Sequence, residues 1–179
     1  MTVADETRLE GELVLLRPRV DDDLALFARW HGNPDVRHWL HMSEIPNQSL
    51  ELERQRWQIA RNDPTRVSFV IETLDGVPIG NIVLVGIDAA HRRAELGIAI
   101  GEKEHWGRGY GTDAIRVVLR FAFEVLNLRR VELITDIDNE RGIRAYEKCG
   151  FVREGVLRAK RLRYGEPLDM LIMSVLREG

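Results

Sequence analysis

Trp106-Gly107-Arg108-Gly109-Tyr110-Gly111-Thr112 decides how this chain of 179 residues is read. Three glycines alternate there. A strand-like run, residues 94–101, comes before them, and a helical pattern with Ile115, Val118, Leu119, Ala122 and Leu126 follows over about 111–126. Backbone N–H groups at a helix start are unpaired and carry partial positive charge. Glycine lets a ligand approach that backbone closely, and the natural guest is an anion, most often a phosphate. The stretch is not the dinucleotide fingerprint, because Thr112 stands where G-x-G-x-x-G requires a third glycine, and no Gly-Lys-Ser/Thr follows to make a Walker loop. Taken alone, it is equally explained as a glycine-rich connection that binds nothing.

Composition narrows the function classes. The apolar fraction is 44% and the charged fraction 31%, as in ordinary globular domains. A formal net charge of -3 argues against broad nucleic-acid binding. No apolar run approaches the ~20 residues that span a bilayer. Residues 1–10 are polar and acidic, unlike a signal peptide. Cys149 is the single cysteine, which rules out an internal disulfide and fits a reducing cytoplasm. One domain over residues 11–176, behind a polar tail at 1–10, is the expected organisation.

Outward from the glycine turn, strands are expected at 13–16, 67–74, 79–87, 93–100, 131–137, 151–155 and 168–176, with Asp75-Gly76 as a hairpin turn. Asp21-Asp22-Asp23 opens a helix through Trp30, and Asn33-Pro34-Asp35 breaks it. Residues 49–62 form a second helical pattern ended by Asp63-Pro64. Asn139 caps a short helix through Lys148, which Gly150 ends in a left-handed conformation. The sum is an α+β layered domain with a mixed sheet and helices packed on it.

Side chains alternate across a strand, so Ala94, Leu96, Ile98 and Ile100 share one face of 93–101. Glu95, Gly97, Ala99 and Gly101 share the other. The second face is bare except for one carboxylate. Either something slender lies along it, or another element crosses it closely while Glu95 pairs with Arg92 or Arg93.

The open-faced strand, the glycine turn and the later Asn139…Ala145-Tyr146-Glu147-Lys148-Cys149-Gly150-Phe151 together resemble the GCN5-related N-acetyltransferase (GNAT) family. The resemblance implies a mixed, mostly antiparallel sheet splayed into a V around acetyl-CoA. The pyrophosphate is expected on backbone amides of Gly107, Arg108, Gly109, Tyr110, Gly111 and Thr112. The pantetheine arm is expected to pair with Leu96, Ile98, Ala99 and Ile100 like an added strand. Asn139 is expected to contact that arm, and Tyr146 to protonate the leaving thiolate. Asn139 is equally explained as a helix cap. Trp106 departs from the family pattern, which has Gln or Arg there; Arg108 is the candidate for the missing charge. Segments 91–95, 125–128 and 155–157 are similar to spermidine N-acetyltransferases, and the overall layout to acetylases of ribosomal-protein N-terminal amines. Glu44 is the only acid in 38–44, where polyamine enzymes carry more, which ranks a small-molecule or peptide amine above a polyamine. A homodimer is a further expectation from the resemblance.

The expected reaction is direct attack of an amine on the acetyl thioester. Freeing an alkylamine of pKa near 10.4 at neutral pH costs about 4.6 kcal/mol, against about 1 kcal/mol for an α-amine near 7.8. The first kind therefore has more need of a base. Glu95 is the candidate and Asp136 the reserve; either carboxylate is equally able to bind a cationic substrate. Cys149 beside Gly150 has no neighbouring His and reads as a buried inert thiol. The five histidines form no metal-ligand spacing, so no metal is expected. Trp30, Trp39 and Trp57 read as packing, with Trp39 also a candidate for the acceptor wall. The Arg-rich residues 158–163 read as a solvated hairpin. A non-catalytic acyl-CoA-binding domain is the competing function.

Overall fold

The computed structural model describes residues 7–44 and 49–177. Residues 1–6 of the expected tail lie outside that range. Eight strands form one sheet: β1 (Leu9–Glu10), β2 (Val14–Pro18), β3 (Val67–Thr73), β4 (Pro78–Asp88), β5 (Arg93–Ile100), β6 (Arg130–Asp136), β7 (Val152–Arg163) and β8 (Glu166–Leu176), in the order β1-β2-β3-β4-β5-β6-β8-β7. All neighbours are antiparallel except β5 and β6. Because β1 pairs with β2, the sheet begins inside the segment read as a polar tail.

The β5–β6 pair positions everything that follows. It lasts for three rungs, Arg93↔Arg130, Ala94↔Val131 and Glu95↔Glu132. Beyond them β5 stays with β4 as far as Gly80↔Ile100, and β6 stays with β8 as far as Asp136↔Met170. Each strand keeps its antiparallel partner, and the two part from each other.

Helices α1 (Leu24–Gly32), α2 (Pro34–Trp39) and α3 (Leu50–Arg61) lie on one side of the sheet; α4 (Tyr110–Arg120) and α5 (Glu140–Lys148) lie on the other. The strand alternation predicts which residues meet which layer. Phe69 packs edge-on against Phe121 just after α4, with ring centroids 5.6 Å apart, while its neighbour Val70 joins Phe27 and Trp30 of α1. The main core lies under α4, whose Ala114, Ile115, Val117 and Val118 are fully buried.

Three local expectations change. Asn33-Pro34-Asp35 does more than end α1: the Asn33 side chain accepts from the Asp35 N–H at 3.0 Å and Pro34 takes the first helical position, so the same residues start α2. The helix expected over 111–126 closes as a π-helical segment at Phe121–Val125, where Leu126 N–H donates to the Phe121 carbonyl. The last hairpin is longer than 151–155 and 168–176 suggest, because β7 and β8 continue to Arg163↔Glu166. No helix among the described residues is long and apolar enough to cross a membrane.

Asp113, in the first turn of α4, ties two distant segments. Its buried carboxylate accepts from the N–H groups of Leu13 (2.8 Å) and Val14 (3.1 Å). Asp113→Ala leaves those donors without an acceptor. It is expected to cost about 1–3 kcal/mol in urea unfolding, with Asp113→Asn losing less because its carbonyl oxygen still accepts.

Candidate active site

The parted strands enclose a cavity of about 500 Å³. Glu95, Leu96, Gly97, Ile98, Ala99 and Ile100 line it from β5, and Ile134 and Thr135 from β6. Trp106, Gly107, Gly109, Gly111 and Thr112 close it at the start of α4; Asn139, Arg141, Arg144, Tyr146 and Lys148 do so from α5 and its cap. Val36, Trp39, Leu40 and His41 come from α2 and the turn after it. Of the sequence-predicted site residues, Arg108, Tyr110 and the reserve base Asp136 do not line it. The Arg108 side chain is exposed, and Tyr110 packs against the core with its ring 5.4 Å from that of His105.

The glycine turn has the form an anion needs. Gly109 is the N-cap of α4 at φ 90°, a left-handed conformation that side chains resist, and no side chain caps the helix. The first-turn N–H groups of α4 have no intrahelical acceptor. Trp106 carries no charge to this turn. Its indole N–H donates to the Ile100 carbonyl at 2.7 Å, tying the turn to the end of β5, and the Arg141 guanidinium lies 4.1 Å from its ring centroid. The cations lining the cavity therefore come from α5, as Arg141, Arg144 and Lys148. Sequence reasoning missed these three. Their spacing of three and four residues puts them on one helical face, which was the available signal. The backbone and cation set fits a phosphate-bearing cofactor.

The bare strand face is only partly open. A Cβ on Gly101 would lie 2.3 Å from the Trp30 ring, so this end of the face is crossed by α1. Gly97 and Ala99 remain in the cavity wall. Glu95 is not paired with Arg92 or Arg93: Arg92 bonds to Asn127, and Arg93 approaches Asp88 and Glu132. The Glu95 side chain is exposed at the cavity wall, yet crowding by its surroundings, followed by repulsion from Glu132, raises its pKa above the usual carboxylate range.

Tyr146 stands on α5 at the opposite wall. Burial among its neighbours pushes its hydroxyl up to about 12, against a lowering hydrogen bond from Thr135, so it stays protonated at neutral pH. Asn139 is the helix cap, accepting from Gly142 N–H at 3.1 Å, and its amide donates to Thr135 Oγ1 at 3.1 Å. It lines the cavity in the same position. Cys149 is half-buried, and burial pushes its thiol up to about 11, as expected of an inert side chain.

Asp136 is not an available base. It is 1% exposed, and Arg161 and Arg163 reach it at 2.6 and 2.7 Å. These hydrogen bonds outweigh burial and hold its pKa below the ordinary value. The same contacts correct the solvated hairpin: Arg161 and Arg163 are largely buried, and Arg163 also grips Asp138 at 2.7 Å. Trp30 and Trp57 pack as expected, donating to Glu102 and Asp21. Among the described residues, no group of three or more His, Cys, Asp or Glu could hold a metal ion.

Known proteins resemble this chain in sequence and fold. The acetyltransferase (GNAT) domain family matches residues 13–152. The chain is 36% identical over 145 residues to the spermidine N(1)-acetyltransferase of Escherichia coli K12, covering 80% of this chain and 75% of that protein. It is 30% identical over 182 residues to the uncharacterized N-acetyltransferase YoaA of Bacillus subtilis, covering 94% and 96%. The crystal structure of spermidine N-acetyltransferase from Vibrio cholerae in complex with CoA and spermine superposes with a TM-score of 0.85 at 28% identity, over 93% of this chain and 96% of that one.

Asp136→Asn should leave two buried guanidinium groups without their shared carboxylate and cost about 3–5 kcal/mol in denaturant unfolding at pH 7. The sign with pH follows from the depressed pKa. The ionised network stabilises the fold above the unfolded value of about 3.9, and the contribution is lost as pH falls through the lower folded value. The gap between wild type and variant is therefore expected to close on acidification.

Proposed function

This chain belongs to the GNAT acetyltransferase family and transfers an acetyl group from acetyl-CoA to an amine; we propose that Glu95 and Tyr146 divide the proton chemistry of that transfer. The observation that carries this reading is their placement on opposite walls of the cleft between β5 and β6, one a carboxylate with a raised pKa, the other a phenol that stays protonated. The turn at 107–112 would take the pyrophosphate on its amides, with Arg141, Arg144 and Lys148 facing the phosphate charge. The edge of β5 that β4 does not pair, beyond Glu95, would hold the pantetheine arm, and Asn139 would contact it. Acetyl-CoA supplies an activated acyl thioester. Glu95 takes a proton from the ammonium, directly or through one water, so that the uncharged amine is formed beside the thioester carbonyl it attacks. Tyr146 gives its hydroxyl proton to the departing sulfur. A raised pKa makes Glu95 a stronger base than an ordinary carboxylate.

A cytoplasmic location and a homodimer belong to the same reading. The single cysteine supports the first. Edge strand β7, with Val152, Val156 and Leu162 exposed, supports the second by offering a surface for a second copy.

Acetyl-CoA at about 100 times its Kd is expected to stabilise the protein by about 2.7 kcal/mol, a thermal shift of several degrees; no shift at millimolar concentration would sink the cofactor assignment. Tyr146→Phe should keep that shift while kcat falls roughly 100-fold or more. Glu95→Gln should lower kcat and remove the acid-side fall in rate, because the base works only when ionised, above its raised pKa. An effect of Glu95→Gln on KM alone would make Glu95 a substrate anchor instead.

A further inference from the structure

The two faces of the parted strands differ in charge, and the difference identifies the acceptor. Gly111 sits against Ile98 and Ile100, while Gly101 lies under Trp30. The even residues of β5 therefore face α4, and Glu95, Gly97 and Ala99 face α1 and α2. On β6, buried Val131 and Leu133 belong to the core under α4, which turns Glu132, Ile134 and Asp136 toward α2. The α2 side thus has a floor with three carboxylates and a roof contributed by Val36, Trp39 and Leu40.

Only one of the three carboxylates is available. Asp136 is held by Arg161 and Arg163. Glu132 bonds to Arg130 at 2.8 Å and lies 3.9 Å from Arg93. Glu95 faces no cation among the described residues. Other acids of this side do not line the cavity: Asp35 meets Lys103, Glu102 meets Arg29 and Trp30, and Glu44 accepts from the Gly165 N–H at the hairpin tip, 3.2 Å away. One ammonium group can be matched at Glu95, whereas a second would be desolvated against apolar or already neutralised groups, an unfavourable placement. The roof, by contrast, gains from burying an apolar body.

We propose that the acceptor is a small primary amine with a single ammonium group on a compact apolar or aromatic body, and that polyamines are poor acceptors. The proposal rests on the active-site reading above and deepens it. It sets this chain's acceptor apart from that of the spermidine N-acetyltransferases it is similar to.

The test is release of free CoA thiol by the full chain with acetyl-CoA and, in turn, 2-phenylethylamine, tryptamine, spermidine and spermine. The aromatic monoamines are expected to exceed both polyamines at least 100-fold in kcat/KM. Trp39→Ala is expected to raise KM for 2-phenylethylamine at least tenfold with kcat little changed, its acetyl-CoA thermal shift intact as proof of folding. Polyamines equal to or better than the monoamines overturn the proposal, as does stabilisation by acetyl-CoA with no turnover of either monoamine. Absence of both stabilisation and turnover overturns the active-site reading beneath it, a separate and distinguishable failure.

Discussion

The short life of the β5–β6 ladder is the constraint on which this molecule depends. Three rungs hold the strands parallel, and the last sets Glu95 against Glu132, like charges on neighbouring strands. Past that rung each strand follows its own antiparallel partner. A stretch of backbone in mid-sheet is left without a neighbour on one side, and buried backbone polar groups need partners. A ligand that runs like a strand can supply them. The same separation creates the cavity and puts a carboxylate at its narrow end.

Charge around that cleft is divided between its walls. On the α4–α5 side, unpaired helix-start amides and three cations face inward, a setting for phosphate groups. On the α2 side, arginines from β7 and elsewhere are drawn onto Asp136 and Glu132, and the exposed Glu95 is left alone. Trp106 illustrates the division. It carries no charge of its own, yet it anchors the turn to Ile100 and receives Arg141 on its ring. A neutral side chain at this position thus recruits its cation from the next helix.

Features governed by near neighbours were legible in the sequence. The turn at 107–112, the alternation along 93–100, the Asn139 cap and the left-handed Gly150 all depend on residues within a few positions of each other. The readings that changed depend on contacts over long separations. Asp136 reads as a free carboxylate until arginines 25 and 27 residues away reach it. The basic run at 158–163 reads as solvated until β7 carries it to the end of β6. Gly101 reads as part of an open face until Trp30, on the far side of three strands in the chain, covers it.

The sequence by itself determined that this is a layered α+β domain of the acetyltransferase family, with a glycine-rich helix start after β5 and a strand face bare but for Glu95. The elements come from period and glycine placement, and the family from the resemblance of the glycine turn and of residues 139–151; neither needs knowledge of distant packing. Only the tertiary structure decided which carboxylates stay free to meet an amine. A charge is available or neutralised according to what lies within about 4 Å of it in space, and a one-dimensional pattern does not encode which cation will arrive there.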